Sequence, residues 1–206
     1  MTTILRRVRE YFAPPRITAA DALAGLIVRE ATHITQKVMI DYCEARTHMY
    51  SAQLFSEREF IEVLNTGIAR AWPSVLGDAL IVAEHNLRPV AGLHAVAAAD
   101  ALGRVYDALL RGDVGPRLDE AARTEASAEF APRFAGARAA PPRTAAAIGA
   151  FSGERVFQSL PLHKRYTSDD RDAVTATVQF RLTIFRDELA RRVDAAAVIA
   201  DLVRHD

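Results

Sequence analysis

The chain has 206 residues, 50% of them apolar and 25% charged, and its 26 Lys and Arg residues balance its 26 Asp and Glu residues. A chain of this length and composition can bury a core without disulfides, and its single cysteine, Cys43, together with the lack of a long apolar run, predicts a cytoplasmic protein. The zero net charge counts against a nucleic-acid binder, because phosphate contacts normally require a basic excess.

Residues 1–16 are predicted to form a basic amphipathic arm. Apolar side chains recur at helical spacing between arginines until Pro14 and Pro15 stop the helix. Such an arm could dock on a protein partner or a second copy of the chain, lie on an anionic membrane surface, or pack against its own domain. The candidate contact residues are Arg6, Arg7, Arg9, Tyr11 and Phe12.

Residues 17–206 are predicted to form a single helical domain that begins with one long amphipathic helix. From Thr18 to His48, apolar residues recur every three or four positions and no proline interrupts them. Thr18 is a suitable N-cap, and Asp21 lies in the first turn, where a negative charge suits the helix dipole. This stretch is the strongest indication of an all-α fold.

The polar face of this long helix contains the best candidate for a metal site. Glu30 and His33 form an E-x-x-H element, and side chains three residues apart share a helix face. Di-iron and di-manganese bundles use two such elements and two further glutamates, all pointing into the core. This sequence has a single element, and Lys37 on the same face repels cations. We interpret the face as solvated, with a metal site as the alternative.

Helical spacing continues after Ser56, which opens a capping-box pattern with Glu59. Pro73 is expected to break or kink this helix, and Pro89 to close the segment that follows. The next helix is expected from about His94 to Arg111. Its predicted apolar side holds Val96, Leu102, Tyr106, Leu109 and Leu110.

A weaker helix is expected over residues 116–130, and the character of the chain then changes. Residues 132–153 contain three prolines and three glycines among alanines and arginines. This composition predicts a mobile loop, with a short helix near Ala145 left open.

The C-terminal part fits two patterns. Residues 174–184 alternate apolar and polar side chains, as a strand does, but they also form a helical stripe that extends to Val193. Acidic residues precede the stripe and arginines end it, as the helix dipole prefers. We therefore favour a helix, with a small β-hairpin near residues 156–184 as the alternative. The whole chain is predicted to be an all-α bundle of about six to seven helices.

The sequence contains no recognisable catalytic motif. Residues 149–153 (GAFSG) place their serine one residue too late for a hydrolase elbow, and Cys43 lies mid-helix beside a carboxylate that disfavours its thiolate. These features favour a non-enzymatic interaction module, such as an adaptor, assembly factor or regulator, that binds a protein partner or itself.

Two alternative functions remain open at this point. One is a metal-binding bundle that uses Glu30 and His33 with ligands from other helices. The other is a binder of an apolar small molecule or lipid in the bundle core. The residues expected to line that core pocket are Phe60, Leu64, Trp72, Leu80 and Tyr106. The sequence does not identify a cofactor.

Overall fold

The computed structural model describes residues 15–162 and 169–204, and it confirms the predicted all-α multi-helix bundle. Within these ranges, seven α-helices have nine residues or more, and no residue lies in a β-strand. The α-helices are α1 (Ala20–Thr47), α2 (Ser51–Leu54), α3 (Arg58–Ala91), α4 (Ala95–Arg111), α5 (Glu120–Ala139), α6 (Ala145–Ile148), α7 (Ala150–Gln158), α8 (Arg171–Arg192) and α9 (Ala195–Arg204). The arm residues Arg6, Arg7, Arg9, Tyr11 and Phe12 lie outside the described residues.

Helix α3 runs through the centre of the bundle. Every residue from Ala71 to His85 is buried, so this part of the helix is enclosed on all sides. The other six long helices all contact it. One hydrophobic core therefore joins these helices, and α3 is its axis.

Two prolines lie inside α3 without ending it. Pro73 has no N–H to bond the carbonyl of Ala69, a loss that costs an isolated helix about 3 kcal/mol. Burial on all sides compensates here, and the carbonyl of Pro73 accepts a hydrogen bond from the Tyr106 hydroxyl at 3.1 Å. The helix was expected to end at about Arg88 and Pro89, but it continues to Ala91. The helix ends before Gly92, whose φ of 51° is a conformation that residues with a side chain rarely adopt.

Helix α1 confirms the predicted long helix, but its start is stabilised differently. Its N-cap is Ala19 rather than Thr18, and no capping side chain is local. The N–H of Ala20 donates instead to the carboxylate of Asp201 in α9, at 2.9 Å. Next to it, Ile17 and Val193 form an isolated parallel bridge. The beginning of the described chain is thus joined to the junction of α8 and α9.

The predicted loop over residues 132–153 is largely helical. Helix α5 continues through Pro132 to Ala139, and after residues 140–144 the chain forms α6 and α7. The glycines serve close packing rather than mobility. A Cβ at Gly153 would lie 2.8 Å from the Cα of Thr175, and one at Gly149 would lie 2.7 Å from Leu182. Glycine at these positions lets α7 approach α8.

The C-terminal segment confirms the helix and not the hairpin. Residues 174–184 lie within α8, and Val156 lies within α7. The buried residues of α8 are those of the predicted stripe. They are Val174, Val178, Leu182, Phe185 and Leu189.

Candidate functional site

The polar face of α1 lies beside α8 and forms a charged seam. Glu30 is half-buried and His33 is exposed. Burial, and then the negative charge of Glu188 on α8, raise the pKa of Glu30. Further along, Asp41 is within 2.6 Å of Lys37, and Arg181 of α8 is 3.6 Å from the same carboxylate.

The seam does not assemble a metal centre among the described residues. No group of three His, Cys, Asp or Glu side chains in residues 15–162 and 169–204 is arranged to hold a metal ion. Glu30 and His33 share a face as predicted, but no third ligand joins them in these ranges. The positive charges that pair with the carboxylate of Asp41 in this seam belong to the side chains of Lys37 and Arg181.

Cys43 is a core residue. It is fully buried, and burial followed by the charge of Glu44 raises the pKa of its thiol to about 12. A thiol with such a pKa stays protonated at neutral pH and is a poor nucleophile.

The residues predicted to line an apolar core pocket are mostly packed together. Trp72 is fully buried, its indole N–H donates to the hydroxyl of Thr32 at 3.0 Å, and its ring lies against Gly115. A Cβ at Gly115 would lie 2.3 Å from that ring. Tyr106 borders a cavity of about 440 Å³, but charged and polar side chains line much of it.

An apolar surface is exposed where α3 gives way to α4. The two helices are joined by a 3₁₀ turn, Gly92–His94. Leu93 in this turn is fully exposed, and Val90 and Val96 on either side are more than half exposed. We refer to Val90, Leu93 and Val96 as the apolar corner.

A groove of about 420 Å³ adjoins the apolar corner, between the end of α3 and helix α9. Val90 belongs to both features. The lining is mainly aliphatic, and the two ionisable side chains are both basic types, His94 and Arg204. The aliphatic lining residues are Val90, Ala91, Ala196, Ile199, Ala200 and Val203.

A buried polar cluster holds the last turns of α3 in place behind the corner. Arg88 donates to the carboxylate of Glu84 at 2.8 and 2.5 Å and to the carbonyls of Ala137 and Ala140 at 2.9 and 2.8 Å. Both carbonyls belong to the C-terminal end of α5, so the arginine joins two helices. The corner is therefore presented by a constrained scaffold.

His85, next to Glu84, binds the segment after α5. Its Nδ1 accepts a hydrogen bond from the backbone N–H of Arg143 at 3.2 Å. Burial lowers the pKa of His85, against the opposing effect of the Glu84 charge. The neutral ring is consistent with an accepting Nδ1.

Sequence reasoning did not identify the apolar corner. Val96 was assigned to the buried side of its helix, yet it is largely exposed, and Leu93 was not singled out. One signal was available: Leu93 lies between Gly92 and His94, in a turn rather than on a helical stripe. A large apolar side chain in a surface turn is not directed toward the core and stays exposed to solvent.

No family model, curated protein or solved structure matches the chain. None of the described helices combines the length and the apolar composition that crossing a membrane requires.

Proposed function

We propose that the protein is a non-enzymatic interaction module whose apolar corner and groove bind an amphipathic helix of another protein. The exposure of Leu93 between Val90 and Val96, beside an aliphatic groove, is the observation that carries the proposal. Clustered exposed apolar residues of this kind are typical of interaction sites. A helix can lay its apolar face into such a groove and project its polar face to solvent.

The charge of the groove indicates the chemistry of the partner. Its ionisable lining residues, His94 and Arg204, are both basic types, and the Arg204 side chain is largely exposed although it lies 3.9 Å from Asp201. Acidic residues flanking the apolar face of the partner would complement them. The N-terminal arm, with Arg6, Arg7 and Arg9, has the opposite character and is a poor occupant. Contact of the arm with a partner, a second copy or an anionic membrane surface stays a separate prediction.

The proposal includes a cytoplasmic location. The chain has one cysteine, Cys43, which is buried. A single cysteine cannot form an intrachain disulfide, so the fold does not depend on an oxidising compartment. Fractionation of cells that express the untagged chain would test this part.

Site-specific photo-crosslinking tests the docking surface. A benzophenone amino acid replaces Leu93 in one variant and the exposed Phe180 of α8 in a matched control, and both are irradiated in cells that express them. We expect an adduct of one defined mass at position 93 and none of that mass at position 180. Equal labelling at both positions, or an adduct with a second copy of the chain, would contradict the proposal.

Binding of the crosslinked protein in purified form then tests the role of the corner. Burying a leucine side chain contributes about 1.5–3 kcal/mol, so Leu93→Ser should weaken binding by about 10- to 100-fold. Phe180→Ser, an exposed aromatic substitution outside the corner, should leave the Kd unchanged. A partner segment without acidic flanks would argue against the assignment of its chemistry.

A further inference from the structure

A second surface feature, the polar cavity of about 440 Å³, lies in a different part of α3 from the apolar corner. Residues 69–74 of α3 form one wall, and side chains of α5 and α7 form others. Its size is in the range of small-molecule sites. The groups in its lining indicate what such a molecule would need.

Two serine side chains border the cavity. Ser74 is 6% exposed and Ser159 is 7% exposed, and both line the cavity. Neither side-chain hydroxyl bonds to any group in the described ranges. Neither oxygen is among the fully buried side-chain atoms that lack a partner, so both hydroxyls keep some accessible surface and can bond a ligand or water.

Pro73 changes the backbone hydrogen bonding of the same wall. The proline has no N–H, so the carbonyl of Ala69 lacks its usual helical donor. Ala69 and Pro73 both line the cavity.

Four of the charged groups at the cavity neutralise one another. Arg133 pairs with the fully buried carboxylate of Asp78, behind the lining, and its guanidinium lies 3.5 Å from the ring centre of Phe151. Arg155 pairs with Glu129 at 2.7 Å. These pairs leave no net charge for a ligand to satisfy.

Two charged side chains of the lining remain without an ion-pair partner in the described ranges. Arg70 lies on α3 and Glu125 lies on α5, and both are exposed. One is a cation and the other an anion, and they project from different helices. A ligand with one charge would be attracted by one of these residues and repelled by the other. A ligand with a positive and a negative group could pair with both residues.

An apolar wall completes the cavity. Tyr106 and Phe130 stack with ring centres 3.9 Å apart, and Leu118 lies in the same lining. This wall would accommodate the apolar part of a ligand.

We propose that the cavity binds a zwitterionic small molecule of the amino-acid class. Its carboxylate pairs with Arg70, its ammonium group with Glu125, and its remaining donors and acceptors bond the hydroxyls of Ser74 and Ser159. An amino acid with an apolar side chain suits the aromatic wall better than glycine does. The cavity and the apolar corner have no residue in common, so the two binding proposals can be tested and contradicted independently.

Isothermal titration calorimetry of the full chain with each of the twenty standard L-amino acids tests this proposal. Succinate and putrescine, which have two charges of one sign, are the control ligands. We expect at least one apolar amino acid to bind with a Kd of about 1 mM or tighter, and both controls to bind at least about tenfold more weakly. Binding by none of the twenty, or equal binding of either control, would overturn the proposal.

Variants connect any binding to the cavity. Arg70→Gln and Glu125→Gln should each weaken binding by about tenfold or more, and Ser74→Ala by several-fold. Arg58→Gln removes another exposed cation of α3, one that pairs with Glu62 away from the cavity, and should leave binding unchanged. Circular dichroism would check that each variant is folded. An equal effect of Arg58→Gln and Arg70→Gln would rule the site out.

Discussion

Asp78 and Glu84 are buried carboxylates of the same helix, α3, but they are embedded in different ways. Asp78 accepts from Arg133 of α5 and, at 3.0 Å, from the backbone N–H of Ser152 in α7. Three helices thus meet at one fully buried charge. Glu84 binds Arg88, one turn along its own helix, and Arg88 keeps two backbone carbonyls as further acceptors. Without Asp78, Arg133 has no other hydrogen-bond acceptor among the described residues, whereas Arg88 without Glu84 keeps its two carbonyls.

The largest effect is expected from Asp78→Ala. The substitution leaves Arg133 without its carboxylate in a mostly buried position, and breaking a buried pair costs about 3–5 kcal/mol. Urea unfolding followed by circular dichroism measures the loss. Replacing both partners, as Asp78→Leu with Arg133→Met, should recover part of it, because no charge is then left unpaired. A loss below about 1 kcal/mol in the single variant would show that Asp78 does not hold the helices together.

Glu84→Ala should cost less, about 1–3 kcal/mol. Arg88 loses its carboxylate, but its hydrogen bonds to the carbonyls of Ala137 and Ala140 remain. The same unfolding experiment applies. If this variant lost as much stability as Asp78→Ala, the distinction between the two clusters would not hold.

A smaller, pH-dependent effect is expected at His85. Burial lowers its folded-state pKa below the ordinary value of about 6.5, so the unfolded chain takes up a proton first as the pH falls. The stability contribution of the neutral ring is therefore present above about pH 6.5 and is lost as the pH falls below that value. His85→Gln should flatten the decrease in unfolding free energy between about pH 6.5 and 5. Above pH 7 the wild type and the variant should show parallel curves. A steeper decrease in the variant would contradict the predicted sign.

The smallest effect on stability is expected from Leu93→Ser, beyond the end of α3. The side chain is fully exposed, so the free energy of unfolding should change by no more than about 0.5 kcal/mol. A thermal or urea unfolding curve measures this. A loss above about 1 kcal/mol would mean that Leu93 packs against part of the chain.

Helices with a clear apolar stripe were predictable from the sequence. The long stretch from Thr18 to His48 became α1, the stretch after about His94 became α4, and the stripe that starts at Val174 became α8. In each case one side of the helix meets the core, and the 3.6-residue spacing follows directly from that burial.

The segment 132–153, which was predicted to be a mobile loop, was not predictable in the same way. Pro132 and three glycines have low helix propensity, yet Phe130 and Phe134 stack with ring centres 5.0 Å apart and pack into the core beside α3. Local propensity differs by about 1 kcal/mol per glycine, and burial of two aromatic rings outweighs it. The spacing of helices that makes glycine favourable at positions 149 and 153 exists only in the folded bundle.

The candidate sites show the same division. The sequence indicated that Glu30 and His33 share a helix face, but not that α8 brings Glu188 and Arg192 beside them. It did not indicate the apolar corner or the polar cavity, because each combines residues from helices far apart in the chain.

The sequence by itself determined the helical class, the position of three long helices and the buried stripe of each, because these depend on periodicity within one segment. Only the tertiary structure decided that α3 passes two prolines, that glycines pack α7 against α8, and which side chains meet at the corner and the cavity. Those outcomes depend on burial and charge pairing between distant segments, and such energies are absent until the helices are assembled.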